Sequence, residues 1–172
     1  GVAGEIGHMA IKPQGWPCIC GLRGCLVTLV GGHALEARAG ELVAVFPEST
    51  LAGRGFSVHD IEDAALAGDP LALQVIREAA ENLGTAIAGL LNLMNPAVVV
   101  IGGDLARLGD ILLDPLRDRV RSRTLVSSVA AADILVSKHG VQTVAVGAAT
   151  LVLKNALEDS RLFPVVDTEA KS

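Results

Sequence analysis

The most regular alternation of apolar and polar positions begins at "DP", residues 69 and 70. Leu71, Val75, Ala79, Leu83, Ile87 and Leu90 recur every three or four residues, the spacing of one helix face, and predict a helix to about Leu93. Asp69 serves as its cap and Pro70 as its first helical residue. Before it, "SVHDIEDAALAGD" predicts a shorter helix capped by Ser57, with Ile61, Ala65 and Leu66 as its apolar face. After it, "NPAVVVIGG" reads as a turn and a strand, and its unbroken apolar run between Pro and Gly predicts a fully buried parallel strand. A helix from about Leu105 to Ser122, a second short buried strand in "VAAADILVS" and a closing helix in "HGVQTVAVGAATLVLKNAL" follow. Gly147, Ala148 and Ala149 would let that last helix pack closely, and beyond it the chain runs through Pro164 into a polar tail, 165–172. The N-terminal third is less regular. Residues 1–12 alternate loosely, as a strand or two would; a helical period runs from about Leu26 to Arg38 and ends near Gly40; "GELVAVFPESTLAGRG" reads as a variable loop.

Composition narrows the function classes. The 172 residues suffice for one well-buried domain, 1–164, and 51% of them are apolar. A net charge of -5 with no run of Lys or Arg argues against a surface that neutralises many phosphates, so this piece alone should not bind nucleic acid. The first residues lack a charged region followed by an apolar one, and Gly, Asn or Pro interrupts the apolar runs short of a membrane span. The chain therefore reads as soluble and cytoplasmic, with no membrane partner. Tyr is absent and Phe scarce, so a ligand pocket would rely on polar groups rather than stacking. Because the chain opens at Gly1 inside a motif, it reads as a fragment.

All three cysteines fall within "CICGLRGC", residues 18–25, and His8 stands ten residues before the first, in "GEIGHM". An odd count argues against a disulfide framework, and Cys-x-Cys is too close for an easy mutual bridge. His8, Cys18, Cys20 and Cys25 supply one imidazole and three thiolates, the set that tetrahedral zinc takes in closed structural sites. Gly21 and Gly24 suit a knuckle that folds back on its metal, and "PQGWPC" supplies the turn that brings His8 round. The alternative is three buried cysteines acting as small hydrophobes beside an unrelated histidine; three in so short a span favour the metal. With no open position, zinc there would fold the loop and do no chemistry. His33 and His59 read as ordinary surface residues, and His139 as part of a turn. Neither a nucleophile elbow, a Walker loop nor a His-Glu-x-x-His helix is present.

"GEIGHM", a proline-containing spacer and "CICGLRGCL" together resemble the signature of the ROK family of bacterial sugar kinases and sugar-responsive repressors. The likeness continues through "NLMNPAVVVIGGDLARLGDILLDPLRDRV" to "VQTVAVGAATLVL". It implies an α/β fold, the C-terminal half of an actin-like ATPase or sugar-kinase (ribonuclease H-like) fold with a zinc-binding loop. It also implies zinc on His8, Cys18, Cys20 and Cys25, with Glu5 and His8 beside a monosaccharide. A carboxylate such as Glu5 can accept from two neighbouring sugar hydroxyls, while the metal fixes the histidine ring. One position departs from the pattern. The family carries a Glu two residues after its last zinc cysteine, as a further sugar contact, and this chain has Val27 there. An unpaired buried hydroxyl costs about 1–3 kcal/mol, so sugar binding is expected to be weakened, redirected or lost.

Gly102 and Gly103, between strand and helix, form a second candidate site where a phosphate or ribose could approach the backbone. A tight strand-to-helix turn explains the pair equally well. The resemblance tilts it towards the ATP pocket of kinase members, and Asp104 opposes phosphate there. Family kinases carry their Asp-x-Gly-Gly-Thr phosphate loop and catalytic Asp ahead of the "GEIGH" segment, and this chain has neither. Three readings follow. The first is the effector-sensing and oligomerising part of a regulator, a homodimer or tetramer that meets DNA only through a winged helix-turn-helix outside this chain. The second is the C-terminal half of an ATP-dependent hexose kinase, and the third a scaffold without a ligand. Val27 favours the first, because in-line attack needs a tightly held sugar.

Overall fold

The computed structural model describes residues 4–124, 132–138 and 140–158. Its spine is the long helix expected from the periodicity. α1 (Val27–Val30), α2 (Gly32–Leu42) and α3 (Val58–Leu66) precede α4 (Pro70–Met94); then come β1 (Val98–Ile101), α5 (Asp110–Arg123), β2 (Asp133–Val136) and α6 (Thr143–Glu158). Asp69 starts α4 as a true cap, accepting from the N–H groups of Leu71 and Ala72 at 3.0 and 3.1 Å. The same carboxylate gathers the preceding loop, accepting from the Ser49 hydroxyl at 2.9 Å and the Thr50 N–H at 2.7 Å. Asn95, in the left-handed region at φ 43°, ends the helix.

One face of α4 meets α5. Leu71, Val75, Ile76, Ile87 and Leu91 form one core with Leu112, Leu116 and Val120, and each such large apolar side chain contributes about 1.5–3 kcal/mol when fully buried. The helices touch at Gly84, where a Cβ would sit 2.8 Å from the Leu116 carbonyl oxygen. Leu35 and Ala39 of α2 and Ile61 and Ala65 of α3 close the core. Leu66, expected on that face, is 48% exposed, because the helix ends there and turns at Gly68 (φ 86°).

β1 and β2 pair in parallel, Val98 with Asp133 through Ile101 with Val136. Neither strand is fully buried as expected. Val99, Ile101, Ile134 and Val136 join the helical core, whereas Val98, Val100 and Leu135 are 48%, 59% and 46% exposed. A run of four apolar residues needs a layer on each face, and in the described residues only one is covered.

Other boundaries also differ. The expected helix from Leu26 to Arg38 is two helices, divided where Gly31 takes an extended conformation, and α2 runs past Gly40 to Leu42. The expected helix from Leu105 is a 3-10 turn, Asp104–Leu108, followed by α5, with Gly109 at φ 55° between them. In place of strands, residues 4–12 hold a 3-10 turn, Ile6–His8, and an isolated bridge from Ala10 to Cys25. Gly147, Ala148 and Ala149 are exposed rather than packed. His139, Pro164 and the 165–172 tail lie outside the described residues. No helix among the described residues is long and apolar enough to cross a membrane.

Candidate metal centre

The segment from Met9 to Leu26 folds back on itself through backbone hydrogen bonds that its glycines make possible. The N–H groups of Ile11 and Lys12 both reach the Gly24 carbonyl, at 2.9 and 3.1 Å, and Leu26 donates to Met9 at 2.8 Å. Within this outer loop, Cys18 donates to Leu22 at 2.8 Å and Gly21 to Cys18 at 3.0 Å, a tight knuckle with Gly21 at φ 88°. Gly24 (φ 65°) is needed for space as well, since a Cβ there would fall on the Lys12 carbonyl.

This folding brings together all four residues singled out in the sequence. One ligand atom each from His8, Cys18, Cys20 and Cys25 lies within 4.8 Å of the others. The Cys18 sulfur is 3.5 Å from His8 Nδ1, and the Cys20 and Cys25 sulfurs are 3.6 Å apart. With zinc bonds of about 2.3 Å to sulfur and 2.0 Å to nitrogen, a tetrahedron has edges of about 3.5–3.8 Å, so these separations fit the ion. Cys18 and Cys25 are buried and Cys20 is exposed. Burial and the neighbouring thiols push the Cys25 thiol up to about 12. A hydrogen bond from the Leu22 backbone instead lowers Cys20.

Glu5 lies exposed at the entry to the Ile6–His8 turn, its carbonyl accepting from the His8 N–H at 3.0 Å. Val27 neighbours that turn: a Cβ on Gly7 would lie 3.6 Å from its Cβ. The position that departs from the family pattern therefore adjoins the Glu-x-Gly-His segment, as its motif spacing implies. Gly102 and Gly103 end β1 and are exposed, with Gly103 at φ 84° leading into the turn that starts at Asp104. His33 and His59 sit on helix surfaces beside Glu36 and Glu62.

The structure also holds two cavities, the second of them at the glycine pair already singled out in the sequence. One of about 660 Å³ lies behind the thiol loop, lined by Lys12, Trp16, Cys18, Val27, Arg38 and Glu78 among others. The other, of about 400 Å³, is lined by Gly102, Asp104 and the buried Glu62. Glu62 had a legible signal, since Val58, Ile61, Glu62 and Ala65 share one helical stripe and Glu62 is its acidic member.

Comparison with known proteins matches the fold. The chain is 36% identical over 159 residues to a glucokinase of Halalkalibacterium halodurans, covering 88% of this chain and 48% of that enzyme. It is 34% identical over 125 residues to the transcriptional regulator NagC of Escherichia coli, covering 73% of this chain and 31% of the regulator. Among solved structures, a Streptomyces griseus ROK glucokinase in complex with glucose and AMPPNP superposes with TM-score 0.78 at 32% identity, over 88% of this chain and 51% of that one. A ROK transcriptional regulator homologous to the E. coli MLC protein superposes with TM-score 0.72 at 35% identity, over 78% and 34%. The chain thus spans about half the length of the kinases it matches and a third of the regulators. The description "ROK family" fits residues 1–155, and on that match, with the shared fold, the chain belongs to the ROK family.

Proposed function

We propose that this chain is the effector-sensing part of a ROK transcriptional regulator, with a structural zinc at His8, Cys18, Cys20 and Cys25 and a modified sugar face at Glu5 and His8. The observation that carries this reading is Val27. It adjoins the Glu5–His8 turn, and its side chain offers no acceptor where a kinase needs its sugar held for attack. Zinc, when bound, supplies no chemistry beyond holding the loop. Nδ1 is on the Cys18 side of the ring; with zinc held there, Nε2 would carry the proton and donate to a sugar hydroxyl, while Glu5 would accept from one or two others.

Effector binding then acts by population shift. A sugar that favours one arrangement of this domain draws paired DNA-binding heads out of register with their half-sites. Such a regulator would be cytoplasmic and a homodimer or tetramer. The second reading, the C-terminal half of an ATP-dependent sugar kinase, is favoured by the wider coverage and higher TM-score of the glucokinase. In that case Gly102 and Gly103 would face ATP.

The discriminating experiment uses the intact protein. Fluorescence anisotropy on its own promoter DNA, with a panel of monosaccharides, should show sugar-dependent release, and a coupled assay with ATP should yield no sugar phosphate. Phosphorylation without DNA binding would overturn the regulator reading in favour of the kinase.

A further inference from the structure

The four residues of the thiol loop are not equivalent. They divide into two pairs: Cys18 with His8, whose Sγ and Nδ1 lie 3.5 Å apart, and Cys20 with Cys25, whose sulfurs lie 3.6 Å apart. Burial divides them again. Cys20 stands exposed in the knuckle, whereas Cys25 at its return is fully buried and Cys18 is buried as well. The neighbours of Cys20 share its exposure: Ile19 is 99% exposed, and Gly21 at φ 88° turns the chain back without a side chain to cover it.

An oxidant arriving from solvent therefore meets Cys20 first. Of the two thiols it could then join, Cys18 stands in the Cys-x-Cys spacing that closes only with strain, and Cys25 faces it across the knuckle. A bond between Cys18 and Cys25 would need the oxidant to reach a buried sulfur. We propose that Cys20 and Cys25 are a peroxide-reactive pair whose cross-linking ejects the metal, a step that rests on the zinc proposed above for these residues. The Cys20 sulfur attacks one peroxide oxygen, the O–O bond breaks, and a sulfenic acid forms as hydroxide leaves. The Cys25 sulfur then attacks the Cys20 sulfur; the S–S bond forms, the S–O bond breaks and a second hydroxide leaves. Each hydroxide takes a proton from solvent to become water. In sum each sulfur has given up one electron and the peroxide has taken both. Cys18 and His8 remain, two of the four ligands, too few to keep a structural zinc. The His8 ring beside Glu5 then loses the anchor that fixes it, which ties the oxidation state of the loop to the sugar face. In a reducing compartment such a bond reverses by thiol exchange, so the pair senses oxidant and is no permanent staple.

The test uses the intact protein, one sample loaded with zinc and one stripped by chelator, each treated with hydrogen peroxide, alkylated and digested without reduction. Arg23 lies between the two cysteines, so trypsin separates their peptides unless a disulfide joins them. The loaded sample should give the linked peptides with Cys18 alkylated, and the loss of zinc, read with a colorimetric chelator, should rise in step with the cross-link. Dithiothreitol with added zinc should restore the metal, and the stripped sample should form the same cross-link. A preparation that takes up no zinc would overturn the metal reading and with it the ejection step, while its peptide map still scores the cross-link. Cys18 within the disulfide, three alkylated thiols after peroxide that oxidises free glutathione, or a cross-linked protein that keeps its zinc would overturn the proposal.

Discussion

Restoring the missing acceptor at position 27 tests whether Glu5, His8 and residue 27 form one sugar face. Val27 is the first residue of α1 and 41% exposed, and its neighbour across the gap is Gly7, whose missing side chain leaves room. A longer carboxylate fits without repacking a core. Val27→Glu adds one charge-assisted hydrogen bond to a sugar hydroxyl, a contact of about 1.5–3 kcal/mol when shielded from water. Partial exposure argues for the bottom of that range and a little below it, about 1–2 kcal/mol, or roughly 5–30-fold in affinity. Titration calorimetry of intact wild type and Val27→Glu against glucose, N-acetylglucosamine, mannose and xylose measures it directly. At least one sugar should bind more tightly to the variant, and Glu5→Gln in that background should reverse the gain. Equal affinities in wild type and variant, or a gain that survives Glu5→Gln, would refute the placement of residue 27 beside a shared hydroxyl site.

The loop and its supports make further predictions. Cys20→Ser should lose zinc, measured by elemental analysis, and each 2 kcal/mol of lost loop stability lowers the melting temperature by roughly 4–8 °C in a domain of this size; full occupancy with an unchanged melting temperature would sink the metal. Gly24→Ala should do the same with every ligand intact, because its Cβ meets the Lys12 carbonyl, whereas Gly55→Ala, with open space around it, should keep its zinc. Asp69→Ala removes the α4 cap and strands the Ser49 and Thr50 donors, costing about 2–4 kcal/mol in urea denaturation. Burial raises the Asp69 pKa, but the Thr50 and Ala72 N–H groups and the Ser49 and Thr50 hydroxyls outweigh it, and the net shift is downward. Its stabilisation is therefore complete above the ordinary aspartate range near pH 4 and lost as pH falls through the depressed value, so the variant should show a shallower loss of stability in acid.

The clustering of the thiols was legible because it is local in sequence: the turn at Gly21 and the return at Gly24 bring Cys18, Cys20 and Cys25 together through neighbouring backbone bonds. α4 was legible for a related reason, a cap at Asp69 followed by a sustained apolar period. Positions that depend on distant partners were not. A run such as Val98–Ile101 cannot report whether its second face will be covered, and among the described residues that face is exposed. Gly31 and Gly109 each break a helix that periodicity continues, because a conformation costing a side chain dearly is easy for glycine while the flanking pattern stays apolar. Glu62 shows the limit most clearly. Its spacing puts it on the buried stripe of α3, but only the fold reveals that Arg107 from a later turn holds one of its oxygens and that the other has no partner among the described residues. Periodicity therefore located the core, and the acidic Glu62 within a core stripe is the residue whose place only the packing of a later turn explains.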